Sequence, residues 1–331
     1  MKKFRKFLAV ALAMVTCLSL FVGCSDSGDS ETGEDTKKVA VIFKLQDSYD
    51  VWLKQEFQAK ADEYGYELDA FDFEDDETKF LQIMENVSQG DYDLVVARTP
   101  KMDARAAIKS VQDSGALYFH ISSQGWEYIR DEELAQGMIC NEYALGQILA
   151  ERAAEELPEN ANVVILLGPA GKQNSIDRNQ AFHDVLSEKR PDVTILDEQI
   201  ANWLKDEAMK KMDDWQQVYP KIDGVLACSD SMAVGAVESL LTNGFDDWDN
   251  MYIYGINGLN DACDYITKGY MRASALQDSR QYASEVMDLF AQHCEGTYDM
   301  TAPAWYEFQP TLIDATNVDE MVEYYKEVGI M

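Results

Sequence analysis

Covalent or metal-assisted chemistry needs a nucleophile beside a base, or ligands at coordinating spacing. The sequence contains no GxSxG, HExxH or P-loop pattern, and Gly168-Pro-Ala-Gly171 lacks the GxGxxG spacing of a dinucleotide site. Its three histidines, His120, His183 and His293, have no ligand-spaced neighbours. Cys140, Cys228, Cys263 and Cys294 form no CxxC pair; Cys140 and Cys228 end apolar runs, where a buried thiol is ordinary. A Cys263–Cys294 disulfide is conceivable, but sequence alone does not decide it. No catalytic residue, metal or cofactor is expected. The side chains suited to other chemistry lie in loops that follow strand-like runs. Lys44, Gln46, Asp47, Tyr49 and Asp50 follow Val39–Phe43, and Ser229 and Asp230 follow an apolar run ending at Cys228. Such loops can hydrogen-bond a ligand, or simply cap the next helix through Asp47, Asp50 or Asp230.

These loops need a scaffold, and the apolar pattern supplies one. Val39–Phe43 is a nearly continuous apolar run, which suits a strand covered on both faces. Leu53, Phe57, Ala61 and Tyr64 follow at helical spacing and stop at Gly65, a plausible C-cap. Phe80, Ile83, Met84 and Val87 repeat at i, i+3, i+4 and i+7. Short β-rich runs at 94–97, 116–121, 163–167, 193–196, 224–227 and 251–254 alternate with helical segments through both halves of the chain. Two such blocks predict two parallel-sheet α/β domains, and a folded part this long tends to split into two cores.

Lys2, Lys3, Arg5 and Lys6 precede sixteen residues, Phe7 to Val22, in which only Thr16 and Ser19 are polar. That layout predicts a secretory signal peptide over residues 1–23. Phe21-Val22-Gly23-Cys24 resembles a bacterial lipobox with Phe21 in place of the usual Leu, so lipidation of Cys24 and membrane anchoring are expected. Residues 24–37 then form an acidic tether without a large apolar side chain. Losing the four basic residues of the signal leaves 24 Lys and Arg against 60 Asp and Glu, a formal charge of −36. Such a surface repels phosphate backbones, so no nucleic-acid partner is expected.

The elements that carry a family resemblance are the strand–loop–helix KVAVIFKLQDSYDVWLKQEFQAKADEYGYEL, then DYDLVVARTPKMDA, CNEYALGQILAERA, VVILLGPAGKQNSIDRNQAFHDVL, DGVLACSDSMAVGAVESL, YIYGINGLNDA and GYMRASALQ. In this order and spacing the chain resembles the periplasmic ribose-binding-protein family, type I sugar-binding proteins of ATP-driven importers. The resemblance implies two Rossmann-like parallel-sheet lobes joined by a three-crossing hinge. Lobe one would be 38–141 plus 277–303, and lobe two 142–276 plus 304–331. A ligand would lie between them, at the C-terminal ends of the strands.

By the same similarity Asp47 matches a polar ligand contact, Tyr49 an aromatic stacking position beside Asp50, and Trp203 an aromatic in the opposite lobe. Tyr49 and Trp203 would then sandwich a sugar ring. Ser229, Asp230, Asn257, Gln277 and, more weakly, Asn141 match further polar positions. Two departures stand against an inference to ribose. Ser122 and Ser123 replace an Asp-Arg pair, and Ile176 replaces a second arginine, while Arg178 matches its neighbouring non-contact arginine and stays among the candidates. The guanidinium forks are missing there, and Arg98 at the end of its strand is a candidate substitute.

The expected protein is an extracytoplasmic solute-binding lipoprotein, a monomer that delivers a small polar ligand, above all a sugar, to ABC permease and ATPase subunits. The alternative is a sensor that presents a sugar or a furanone-type signal to a membrane receptor. Related repressors share the fold but begin with a DNA-binding helix-turn-helix, where this chain has an export signal.

Overall fold

The computed structural model describes residues 36–121, 125–130 and 133–329. The expectations for the signal peptide, Cys24, most of the tether, Ser122 and Ser123 lie outside them.

The first lobe is wound from β1 (Lys38–Phe43), α1 (Ser48–Tyr64), β2 (Glu67–Asp72), α2 (Glu77–Ser88), β3 (Leu94–Ala97), α3 (Arg105–Asp113), β4 (Leu117–His120), α4 (Trp126–Arg130) and β5 (Gln136–Cys140). The second follows as α5 (Glu142–Glu156), β6 (Asn162–Leu167), α6 (Gln173–Lys189), β7 (Thr194–Ile200), α7 (Lys205–Val218), β8 (Gly224–Ala227), α8 (Asp230–Thr242), β9 (Tyr252–Asn257), α9 (Asn260–Thr267) and β10 (Ala273–Leu276). The chain then returns through α10 (Ser279–Cys294), β11 (Trp305–Phe308), β12 (Thr311–Asp314) and α11 (Val318–Glu327).

Two six-stranded sheets result, in the orders β11-β5-β4-β3-β1-β2 and β12-β10-β9-β8-β6-β7. Among the described residues all strand pairings are parallel except β10 with β12. Helices on both faces explain why β1, β3, β8 and β10 read as apolar runs: Val39 to Phe43 are fully buried, as are Val225 to Ala227. The helical spacing is borne out in α2, whose Phe80, Ile83, Met84 and Val87 are its buried residues. Gly65 ends α1 at φ 70°, a left-handed conformation that costs glycine little.

The chain passes between the sheets three times, after Cys140, after Leu276 and after Phe308. The third crossing corrects the expected boundary at 303/304. Trp305–Phe308 pairs in parallel with Gly137–Cys140 and belongs to lobe one, and only Gln309 and Pro310 separate it from β12 in lobe two. Short runs such as WYEF carry no periodicity that says which sheet they join. Cys140, Cys228 and Cys263 are buried and Cys294 is exposed, all as free thiols, so the conceivable Cys263–Cys294 bond is not formed.

Candidate functional site

The loops at the C-terminal ends of β1, β2, β3, β6, β7, β8 and β9 converge on a cleft between the lobes. Its inner chamber offers about 70 Å3 to the centres of water molecules. From lobe one come Asp47, Tyr49, Asp50 and Arg98; from lobe two come Arg178, Trp203, Ser229 and Asn257, with Gln277 just beyond the second crossing. Asp47 also caps α1, accepting from the backbone N–H of Tyr49 at 2.9 Å, so the two readings of this loop coexist. Asp50 accepts from the Lys44 N–H at 2.8 Å and forms an ion pair with Arg98. The Arg98 guanidinium lies 5.3 Å from the centre of the Tyr49 ring.

Opposite, Arg178 is buried and fully engaged. It pairs with Glu142 at 2.7 Å, donates to the Cys228 carbonyl at 2.7 Å, and reaches Gln277 Oε1 at 3.1 Å. Asn257 Nδ2 donates to the same Gln277 oxygen at 3.1 Å. That oxygen is taken twice and the Gln277 amide also hydrogen-bonds the Tyr282 hydroxyl, which leaves Asn257 Oδ1 as the acceptor of this pair. Ser229 Oγ is buried at the cleft wall with no hydrogen-bond partner among the described residues. A buried hydroxyl without a partner costs ~1–3 kcal/mol, a deficit a ligand can relieve.

The backbone is strained around this cleft. Asp75, Trp203 and Asn257 all line it and have φ of 58°, 65° and 132°. Left-handed backbone at such residues costs on the order of 1–3 kcal/mol each, and it concentrates where a ligand is clamped. The Trp203 indole lies across Gly168: a β-carbon there would come within 2.1 Å of the ring, so only glycine admits it.

The cations of the cleft are paired with carboxylates, whereas the Asp47 carboxylate is held by its helix cap rather than by a cation. Arg98 meets Asp50, Arg178 meets Glu142, and Lys172 of lobe two meets Asp75 of lobe one at 2.8 Å, with Lys44 a further 3.9 Å from Asp75. What remains facing the space is mostly neutral polar groups: Ser229, Ser231, Asn174, Asn257 and Gln277.

A model of the periplasmic binding protein domain matches residues 39–297 of this chain. The chain belongs to that family. Among curated periplasmic binding proteins it is 26% identical over 316 residues to a xylitol-binding protein of Mycolicibacterium smegmatis, covering 95% of this chain and 87% of that one. It is 26% identical over 293 residues to a D-apiose import binding protein of Paraburkholderia graminis, covering 87% and 88%. Among solved folds, an ABC transporter solute-binding protein from Actinobacillus succinogenes with bound D-allose superposes with a TM-score of 0.77 at 20% identity, over 86% of this chain and all of the other. One from Bacillus halodurans with bound myo-inositol gives 0.75 at 20% identity, over 89% and 100%.

Two expected contacts of this periplasmic binding protein lie elsewhere. Asn141 caps α5 through Ala144 and donates to Glu307 at 2.9 Å, bracing the first and third crossings. Asp230 is fully buried; it accepts from the Leu259 N–H at 2.8 Å and from Ser274 Oγ at 2.7 Å. Burial pushes its carboxyl up to about 6. It ties β8 to β9 and β10, a role that a first-turn acid of α8 shares in sequence with a ligand contact. The Tyr49–Trp203 sandwich is also altered: Tyr49 is 4% exposed and packs edge-on against Trp52, whereas Trp203 is half-buried. Arg178, matched to a non-contact position, does line the cleft. Phe73, Asp75, Thr99, Lys172 and Asn174 were missed, yet each follows a strand's C-terminal end, the rule that selected the others.

Proposed function

We propose that this protein is an extracytoplasmic solute-binding lipoprotein that captures a neutral polyhydroxyl ligand, a sugar or polyol, between its lobes and delivers it to an ABC permease with its ATPase. The observation that carries this is the pairing of the cleft's cations, Lys44, Arg98, Lys172 and Arg178, with carboxylates of the protein, which leaves no free cation among the described residues for an anionic ligand group. An amino acid or a nucleotide needs uncompensated charge to bind. A sugar instead needs hydroxyl and amide groups around a flat apolar face, supplied by Ser229, Asn257, Gln277 and Trp203. The names of the xylitol and apiose relatives favour the same class.

Ligand contacts to both lobes stabilise the closed form, which the permease then reads. The signal sequence and Cys24 anchor a monomer to the outer face of a membrane through the acidic tether. A thermal-shift screen against monosaccharides, polyols, nucleosides and amino acids tests the ligand class. A ligand at a hundred times its Kd adds ~2.7 kcal/mol of stability. A shift with a sugar or polyol supports the reading; a shift confined to amino acids or nucleosides overturns it. Radiolabelled palmitate incorporation that disappears in Cys24→Ala tests the anchor.

A further inference from the structure

The cleft does not end at its inner chamber. A vestibule opens beyond it with about 540 Å3 for water centres, and the two spaces share Lys44, Asp47, Asp75, Trp203 and Ser231. The inner chamber is several times the ~10–15 Å3 that a single water needs, room for one compact ring. The vestibule is several times larger and is not needed for that ring.

We propose that the vestibule is a second sugar subsite, so that the ligand is a disaccharide with one ring in each chamber. This rests on the sugar-binding reading above. Trp203 lines both chambers, and its indole is fixed there by left-handed backbone and by the bare Cα of Gly168 beneath it. A platform held in this way cannot swing out to fill the vestibule. The lining beyond it is two-natured, as a sugar ring is. Pro169, Leu204 and Leu259 offer apolar surface, with Leu204 still 48% exposed, while Ser48, Ser231 and Asn260 offer hydrogen bonds. Lys205 is compensated within the protein by Glu238 at 3.0 Å, and the Asp47 and Asp261 carboxylates in the lining can accept hydrogen bonds from sugar hydroxyls. Ser48 belongs to lobe one and Asn260 to lobe two, so closure grips the second ring as well as the first.

The test is titration calorimetry of the full chain with matched pairs: D-xylose and xylobiose, D-glucose with cellobiose and maltose, D-galactose and lactose. The expected result is a disaccharide bound at least tenfold more tightly than its own monosaccharide. That ratio should fall to about one in Asn260→Trp, whose indole fills the vestibule; Leu204→Asp, at an exposed position, serves if the first variant does not fold. Monosaccharides bound with no tighter disaccharide overturn the inference and leave the sugar-binding reading intact. A p-nitrophenyl glycoside that gains where no disaccharide does also overturns it, replacing the second sugar by an aglycone. Binding of no sugar at all removes the reading and the subsite together.

Discussion

Lys172 Nζ in lobe two lies 2.8 Å from Asp75 Oδ1 in lobe one, across the mouth of the cleft. The two side chains are 23% and 34% exposed, so the pair is partly screened and contributes about 0.2–1 kcal/mol to closure. Lys172→Ala should therefore populate the open form, raising the radius of gyration without ligand and weakening ligand binding up to about fivefold. Small-angle scattering at low and high salt checks this. An unchanged radius in the variant, or no opening on adding salt, would show that the pair does not hold the lobes.

Arg178 and Glu142 form the buried pair behind the cleft. Removing one partner strands the other charge, so Arg178→Ala should cost about 3–5 kcal/mol. At about 2–4 °C per kcal/mol the midpoint falls by roughly ten degrees. Glu142→Leu combined with Arg178→Met, which removes both charges, should regain most of it. A double variant no more stable than the single would place the loss in packing instead.

Asp230 gives a pH signature. Burial raises its folded pKa to about 6, above the ordinary ~3.9. Between these values the folded state holds a proton that the unfolded state has released. Its contribution is therefore fully present below about pH 4 and is lost as pH rises toward 6. Urea unfolding at pH 4.5 and 6.5 should show this decline in the wild type and a flatter dependence in Asp230→Asn, since all other carboxylates are common to both. Parallel curves would mean that Asp230 titrates normally.

Gly168→Ala places a methyl group where the Trp203 ring lies. The indole must move, and ligand affinity should fall about tenfold or more while the far-ultraviolet circular dichroism stays native. Retained affinity would remove Trp203 from the ligand's surroundings.

The alternation of buried runs and helical stripes made the two lobes legible, because strands covered on both faces write their environment directly into sequence, as Val39–Phe43 does. The loops after β1, β8 and β9 were legible for the same reason, since strand ends fix where a cleft must be. Pairings across the cleft were not. Asp75 and Lys172 are ordinary loop charges until folding brings them together. Asp230 shows the converse failure: a helix N-terminal acid has one sequence signature whether it faces solvent, ligand or, as here, a buried seryl hydroxyl. Trp305–Phe308 joins lobe one against expectation because four residues carry too little pattern to choose a sheet.

The late return of the chain to its first sheet sets an order of events during synthesis. Lobe one begins at β1, yet its sheet lacks its β11 edge strand until Trp305–Phe308 has emerged, after α10. The parallel core of lobe two, β6 to β10, is contiguous in the chain and can close earlier. Although domains commonly mature from the N-terminus as they are made, here the half translated first is finished nearly last. A nascent chain stalled before residue 305 would carry an unpaired β5 edge, the segment a chaperone or export factor would have to shield.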